Sequence, residues 1–191
     1  MTSKSSLPIS LTRQEGVCVT DLTPITALGA TKAATVTHGV VTISELPDMA
    51  LASLTLRRGA TAPRDLPGVG QAAGNAFWTG PDQWMIEGPG LAETDFAATL
   101  AAPGCSVTEQ TDGFSVVEIT APADTLHALM AKLVNLDPLT FSPGSATRTG
   151  LHHMTVFLIR RTDTVLAVIG MRSYARALWH ALDEAAQRLE A

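Results

Sequence analysis

The side chains best suited to chemistry in this sequence are its histidines, and two stand together: His152 and His153 in "TGLHHMTVFLIRR", residues 149–161. An imidazole pair could hold a metal or move a proton. Read as a strand, however, the stretch sends successive side chains to opposite faces. Leu151, His153, Thr155, Phe157 and Ile159 then share one face, and His152, Met154, Val156, Leu158 and Arg160 the other. The imidazoles point apart and cannot chelate one ion together. No HxH, HxxxH or CxxC spacing adds a ligand, so packing or interface histidines are expected. His38, His127 and His180 are isolated, the last two on predicted helices.

The remaining constellations are no richer. "GVGQAAG" (68–74) has GxGxxxG spacing and follows "PRDLP" rather than a strand, so it reads as a flexible loop and not a dinucleotide site. No serine sits in a GxSxG elbow. Asp82, Glu87 and Glu118 could act as acids or bases, yet no spacing pairs them. Arg148, Arg160, Arg161, Arg172 and Arg176 gather towards the C-terminus, in a pattern that suits the ring of an interface better than an anion site. Trp78, Trp84 and Trp179 fit either a core or a partner anchor. The residues alone supply no catalytic, cofactor-binding or metal-binding set.

Three similar units must position these residues. "NAFWTGPDQWMIEG" (75–88) predicts a hairpin turning at Gly80-Pro81-Asp82-Gln83, followed by a helix at about 91–102. "CSVTEQTDGFSVVEIT" (105–120) predicts a hairpin at Asp112-Gly113, then a Pro-led helix over 122–137. There Leu126, Leu129, Met130, Leu133 and Val134 fall at i, i+3, i+4, i+7 and i+8. The third unit predicts strands at 151–160 and 165–171, turning through 161–164, and a helix over 174–189 with a stripe from Tyr174 to Leu189. Upstream, 39–46 and 50–58 alternate as strands around Pro47-Asp48, and residues 16–34 hold a short strand and a turn at Thr23-Pro24. Residues 1–15 are polar and expected to be mobile. Hairpins each followed by one helix predict an α+β fold, with antiparallel sheets and helices on one face. Residues 16–191 form one unit, divisible into subdomains 16–74 and 75–191.

Strand 151–160 is apolar on both faces, and the chain's helices can cover only one. The other needs a second layer from the N-terminal half or another protein chain. On the second alternative the isolated chain would expose an apolar patch and self-associate.

Composition narrows the function classes. Charged residues are 16% of 191 against 46% apolar, and the mean hydropathy is +0.19. A net charge of −5 disfavours nucleic acid and anionic membranes as partners. Cys18 and Cys105 are too few for a disulfide scaffold and read as reduced thiols. No apolar stretch nears the roughly 20 residues of a membrane span, and "MTSKSSLPIS" lacks a signal-peptide core. A cytoplasmic protein is expected.

"AFWTGPDQWMIEG", "DGFSVVEITAPADTLHALMAKLVNLD" and "TGLHHMTVFLIRR…VIGMRSYARALWHAL" together resemble the γ subunit of heterotetrameric, tetrahydrofolate-dependent sarcosine oxidase across most of residues 50–190. The middle stretch, and more weakly "VTDLTPITALGA", is similar to the wider superfamily of the glycine-cleavage T-protein. The resemblance implies a T-protein-like folate-binding-domain architecture. It also implies a complex that demethylates sarcosine oxidatively to glycine, forming hydrogen peroxide and either methylenetetrahydrofolate or formaldehyde. FAD, FMN, NAD, tetrahydrofolate and zinc are then expected on partner α, β and δ subunits and none on this chain. This chain would be a non-catalytic structural subunit. The T-protein's catalytic carboxylate has no counterpart that can be placed here, so no site residue carries over. The alternative is a stand-alone folate-binding or one-carbon-transfer module.

Overall fold

A strand that is apolar on both faces has to be covered twice, and the computed structural model, which describes residues 23–63 and 65–190, shows how. Eleven strands form two antiparallel sheets. The first contains β1 (Thr35–His38), β2 (Val41–Glu45), β8 (Phe114–Thr120), β9 (Ala146–Leu151), β10 (Met154–Thr162) and β11 (Val165–Met171), in spatial order β1-β2-β8-β11-β10-β9. The second contains β3 (Met49–Leu56), β4 (Ala72–Ala73), β5 (Ala76–Gly80), β6 (Gln83–Pro89) and β7 (Cys105–Glu109), in order β4-β5-β6-β3-β7. Three α-helices complete the described residues: α1 (Phe96–Thr99), α2 (Ala123–Leu133) and α3 (Ala175–Glu190).

Strand alternation sorts the apolar residues into three layers. Between the sheets lie Val116, Ile159, Ala167 and Ile169 from the first, packed against Leu51, Phe77 and Met85 from the second. Phe77 and Phe157 meet across this layer in a tilted pair with ring centroids 5.7 Å apart. On the outer face of the first sheet, Ile43, Val117, Ile119, Val156, Leu158 and Val168 pack against α2 and α3. On the outer face of the second, Ala50, Ala52, Leu54, Trp84 and Ile86 are covered by Phe96 of α1 and by neighbouring loops. The second face of β10 is therefore covered by the chain's own sheet. Of the two alternatives posed by the sequence, the N-terminal layer is the one realised.

The helices follow their sequence signals, α3 at its expected length and α1 and α2 shorter. Leu126, Leu129, Met130 and Leu133 of α2 are buried, as their spacing requires. The helix stops at Leu133, not at 137, because Val134 turns extended (φ −141°, ψ 154°) and its amide bonds back to the Met130 carbonyl. Leu178, Ala181, Leu182, Ala185 and Ala186 of α3 are buried over the same sheet. The helix expected over 91–102 contracts to the single turn Phe96–Thr99, capped by Asp95. It packs on the second sheet, so only the two long helices share one face.

Two expected hairpins form: β5–β6 and β10–β11 pair as adjacent antiparallel strands. The β5–β6 turn places Pro81 first and Asp82 second at φ 56°, the left-handed position that such a turn demands. The hairpin expected at Asp112-Gly113 does not form. β7 pairs with β3 in the second sheet, while β8 pairs with β2 and β11 in the first. Thr111–Gly113 is instead a 3₁₀ turn that carries the chain between sheets. β2 and β3, alternating around Pro47-Asp48, are likewise divided between the sheets. β1, unmarked in the sequence reading, makes a hairpin with β2 through Gly39-Val40, with Gly39 at φ 52°. The 74/75 junction lies between β4 and β5, neighbours in one sheet. The features read from residues 1–22, including the mobile segment, the first short strand and Cys18, lie outside the described residues.

Candidate functional site

The histidine pair occupies a turn. β9 and β10 pair through Leu151 and Met154, so His152 and His153 are the two-residue tip of a hairpin. Both are exposed, and His152 takes a left-handed φ of 51°. The expectation of a single strand over 151–160 is corrected here, although from Met154 onwards the predicted faces hold. Met154, Val156 and Leu158 join the helix-side core, and Ile159 joins the inter-sheet layer. The physical reason for the miss is that the turn lacks Gly, Asn or Pro, the residues that mark such positions.

The arginines do not form one ring. Arg148 and Arg176 are exposed, Arg172 lies at a surface cleft, and Arg160 and Arg161 point to opposite sides of β10. Arg161 enters the inter-sheet layer and does what spacing alone could not, drawing Glu87 and Glu118 together. Its Nη1 and Nη2 donate to the two Glu87 oxygens at 2.9 and 2.6 Å, a forked ion pair between β10 and β6. Glu118 Oε2 of β8 lies 3.3 Å from Nε. Burial works against the Arg161 charge, but the Glu87 hydrogen bonds and the two carboxylates outweigh it, and its pKa is raised. This cluster ties the sheets together.

Arg160 is 1% exposed on the helix side of the same strand. Its Nη2 donates to the Asp163 carbonyl at 2.6 Å and Nη1 approaches Met130 Sδ at 3.8 Å. Its Nε has no hydrogen-bond partner among the described residues. Burial lowers its pKa, with the Asp163 charge acting in the opposite sense.

Among the other candidates, His38 Nε2 lies 2.7 Å from Asp183 Oδ1, tying β1 to α3, and Gln187 donates to the second Asp183 oxygen. His127 is half-buried and His180 exposed. Trp84 is buried, with its Nε1 donating to the Pro67 carbonyl at 2.8 Å. Trp78 and Trp179 pack on the second-sheet and first-sheet cores respectively. All three tryptophans therefore serve the interior. The stretch 68–74 contributes β4 and accepts the Ala146 amide on the Gly70 carbonyl, so it is structural. No group of three or more His, Cys, Asp or Glu among the described residues is placed to hold a metal. Cys105 is a free, buried thiol.

Two hollows of similar size stand out on the surface of the described residues. One, of about 490 Å³, lies over the outer face of the second sheet between Leu54, Ile86, Leu66 and Leu100. The other, of about 500 Å³, sits where the chain crosses between sheets. Thr26, Glu45, Pro47, Asp112, Phe114 and Arg172 are among its walls. Most of its polar groups are already used. Glu45, 4% exposed, accepts the Leu28 and Ala34 amides on its two oxygens at 3.2 Å each. Arg172 Nη2 donates to the Ile25 carbonyl at 3.0 Å, and Thr94 donates to the Leu91 carbonyl. Glu93 and Asp112 are exposed and make no side-chain hydrogen bond among the described residues. Sequence inspection missed this cleft, because its walls come from five separated segments.

No family model matches this sequence. A search of curated proteins likewise finds no match. Among solved structures, a chain of the heterotetrameric sarcosine oxidase from Corynebacterium sp. U-96, in complex with pyrrole 2-carboxylate, superposes with a TM-score of 0.63. The chain shares that fold. The match covers 82% of this chain and 89% of the other, at 23% sequence identity. Nearly the whole of each chain is thus one common architecture of two sheets and peripheral helices.

Proposed function

We propose that this chain is the γ subunit of a heterotetrameric sarcosine oxidase, with a structural and not a catalytic role. The observation that carries the reading is the fold match, over 82% of this chain and 89% of the other, to a chain of such a complex. The sequence resemblance, concentrated in 76–88, 112–137, 149–161 and 168–182, points to the same complex. The internal chemistry is consistent with a scaffold. The strongest ion cluster, Arg161 with Glu87 and Glu118, is spent on joining sheets. On this reading FAD, FMN, NAD, tetrahydrofolate and zinc belong to α, β and δ partners, and the assembled complex oxidises sarcosine to glycine in the cytoplasm.

The test is purification of the tagged chain from its native cell. Three partner bands, a flavin absorbance and sarcosine-dependent hydrogen peroxide are the expected result. A chain that purifies alone and binds tetrahydrofolate stoichiometrically would replace this reading with the stand-alone folate module.

A further inference from the structure

Seven large apolar side chains are exposed among the described residues: Ile25, Val40, Val69, Leu91, Leu139, Met171 and Tyr174. Scattered single residues of this kind are ordinary on any surface. Four of these are not scattered with respect to the cleft. Ile25 is part of its wall and Leu91 precedes the wall residue Ala92. Met171 pairs across the first sheet with the wall residue Phe114, and Tyr174 ends the 3₁₀ turn that begins at the wall residue Arg172 and packs against Thr111–Gly113. Their exposures run from 38% for Leu91 to 56% for Ile25. Val40, Val69 and Leu139 neighbour no wall residue in sequence.

The charge at this place is one-sided. Glu93 and Asp112 stand exposed in the wall without hydrogen-bond partners among the described residues, while the wall's only cation, Arg172, already donates to Ile25. Glu45 adds a third carboxylate, held by two amides. An apolar rim around an acidic hollow is complementary to a segment that presents a basic side chain between apolar ones. Tyr is well suited to such a rim, because it brings a large apolar ring and a polar tip at little cost in conformational freedom.

We propose that this cleft is the docking site for a partner subunit. The partner inserts a lysine or arginine side chain towards Glu93 and Asp112 and lays apolar neighbours on Ile25, Leu91, Met171 and Tyr174. The inference rests on the reading of the chain as a subunit, and it names the surface and the chemistry of its partner.

The test uses the complete complex, assembled by co-expression. The double charge reversal Glu93→Lys with Asp112→Lys is expected to weaken assembly by about tenfold or more and to reduce its salt dependence. Tyr174→Asp is expected to weaken assembly at least as much. All three residues are exposed, so the lone variants should melt with the wild-type chain. Leu139→Asp, away from the cleft, should assemble normally. A photo-cross-linker placed at position 174 should capture a partner peptide containing lysine or arginine. Normal assembly of both cleft variants in a complex that forms with the wild-type chain overturns the docking site while leaving the subunit reading intact. So does cross-linking to the chain's own residues 1–22. A wild-type chain that recruits no partner overturns both.

Discussion

The outer faces of the two sheets are covered in different ways. Over the first lie two amphipathic helices, which bury Leu126, Leu129, Met130, Leu133, Leu178 and Leu182 against a continuous field of Val, Ile and Leu. Over the second lies a single helical turn, with Phe96 set upon small residues such as Ala50, Ala52 and Ala76. Gly88 is part of that arrangement, since a Cβ there would stand 2.7 Å from the Phe96 ring. A long helix brings a row of large side chains and closes its sheet. A short one brings a single ring and leaves the hollow beside Leu54 and Ile86 open. The first cover should unfold only with the whole molecule, and the second should open locally.

The sharpest break of the first cover is Leu129→Ala. The residue is fully buried, and loss of its side chain should cost about 3–5 kcal/mol, lowering the urea midpoint without changing the slope. A loss below about 1 kcal/mol would mean that this helix layer contributes no more than an ordinary surface.

Next comes the joint between the sheets. Arg161→Met would leave the buried Glu87 carboxylate without its cation, at a cost of about 3 kcal/mol. Adding Glu87→Leu should recover most of that loss, since both charges are then gone. If the double variant is no better than the single one, the ion pair is not the source of the effect.

Gly88→Ala probes the second cover. Its clash with Phe96 should cost about 1–3 kcal/mol, and Phe96→Leu should relieve part of it. Amide exchange in the Phe96–Thr99 turn should accelerate well before exchange in α2 does. Equal acceleration in both would show that the two covers open together.

The smallest effect is acid loosening of α1. Glu109 accepts the Ala97 amide at 2.9 Å, and also the Gln110 and Thr111 amides and the Thr111 hydroxyl. Burial acts to raise its pKa, but these hydrogen bonds prevail and hold it below the ordinary value of 4.5. The folded chain therefore binds this proton less tightly than the unfolded one. The stabilisation is complete above about pH 4.5 and fades as the pH falls through the lowered pKa. Glu109→Gln should flatten the acid dependence of exchange in α1 and leave α2 unchanged. The change is modest because the carboxylate is exposed and screened by water.

The sequence by itself determined the elements that rest on local periodicity and turn chemistry. The stripe from Leu126 to Leu133, the stripe from Leu178 to Leu182, and the β5–β6 turn at Pro81-Asp82 depend on residues within two or three turns of each other. They appear where expected. It also determined that β10 is apolar on both faces, and hence that a second layer must exist.

Only the tertiary structure decided which layer that is. Asp112-Gly113 promises a hairpin locally, but pairing β7 with β3 and β8 with β2 and β11 lets β8 bury both of its faces. The gain in buried apolar surface overrides the local turn preference. The same long-range pairing sets Arg161 against a glutamate 74 residues away and builds the acidic cleft from five separated segments. No spacing in the chain encodes these meetings, because side chains distant in sequence become neighbours only when two sheets stack.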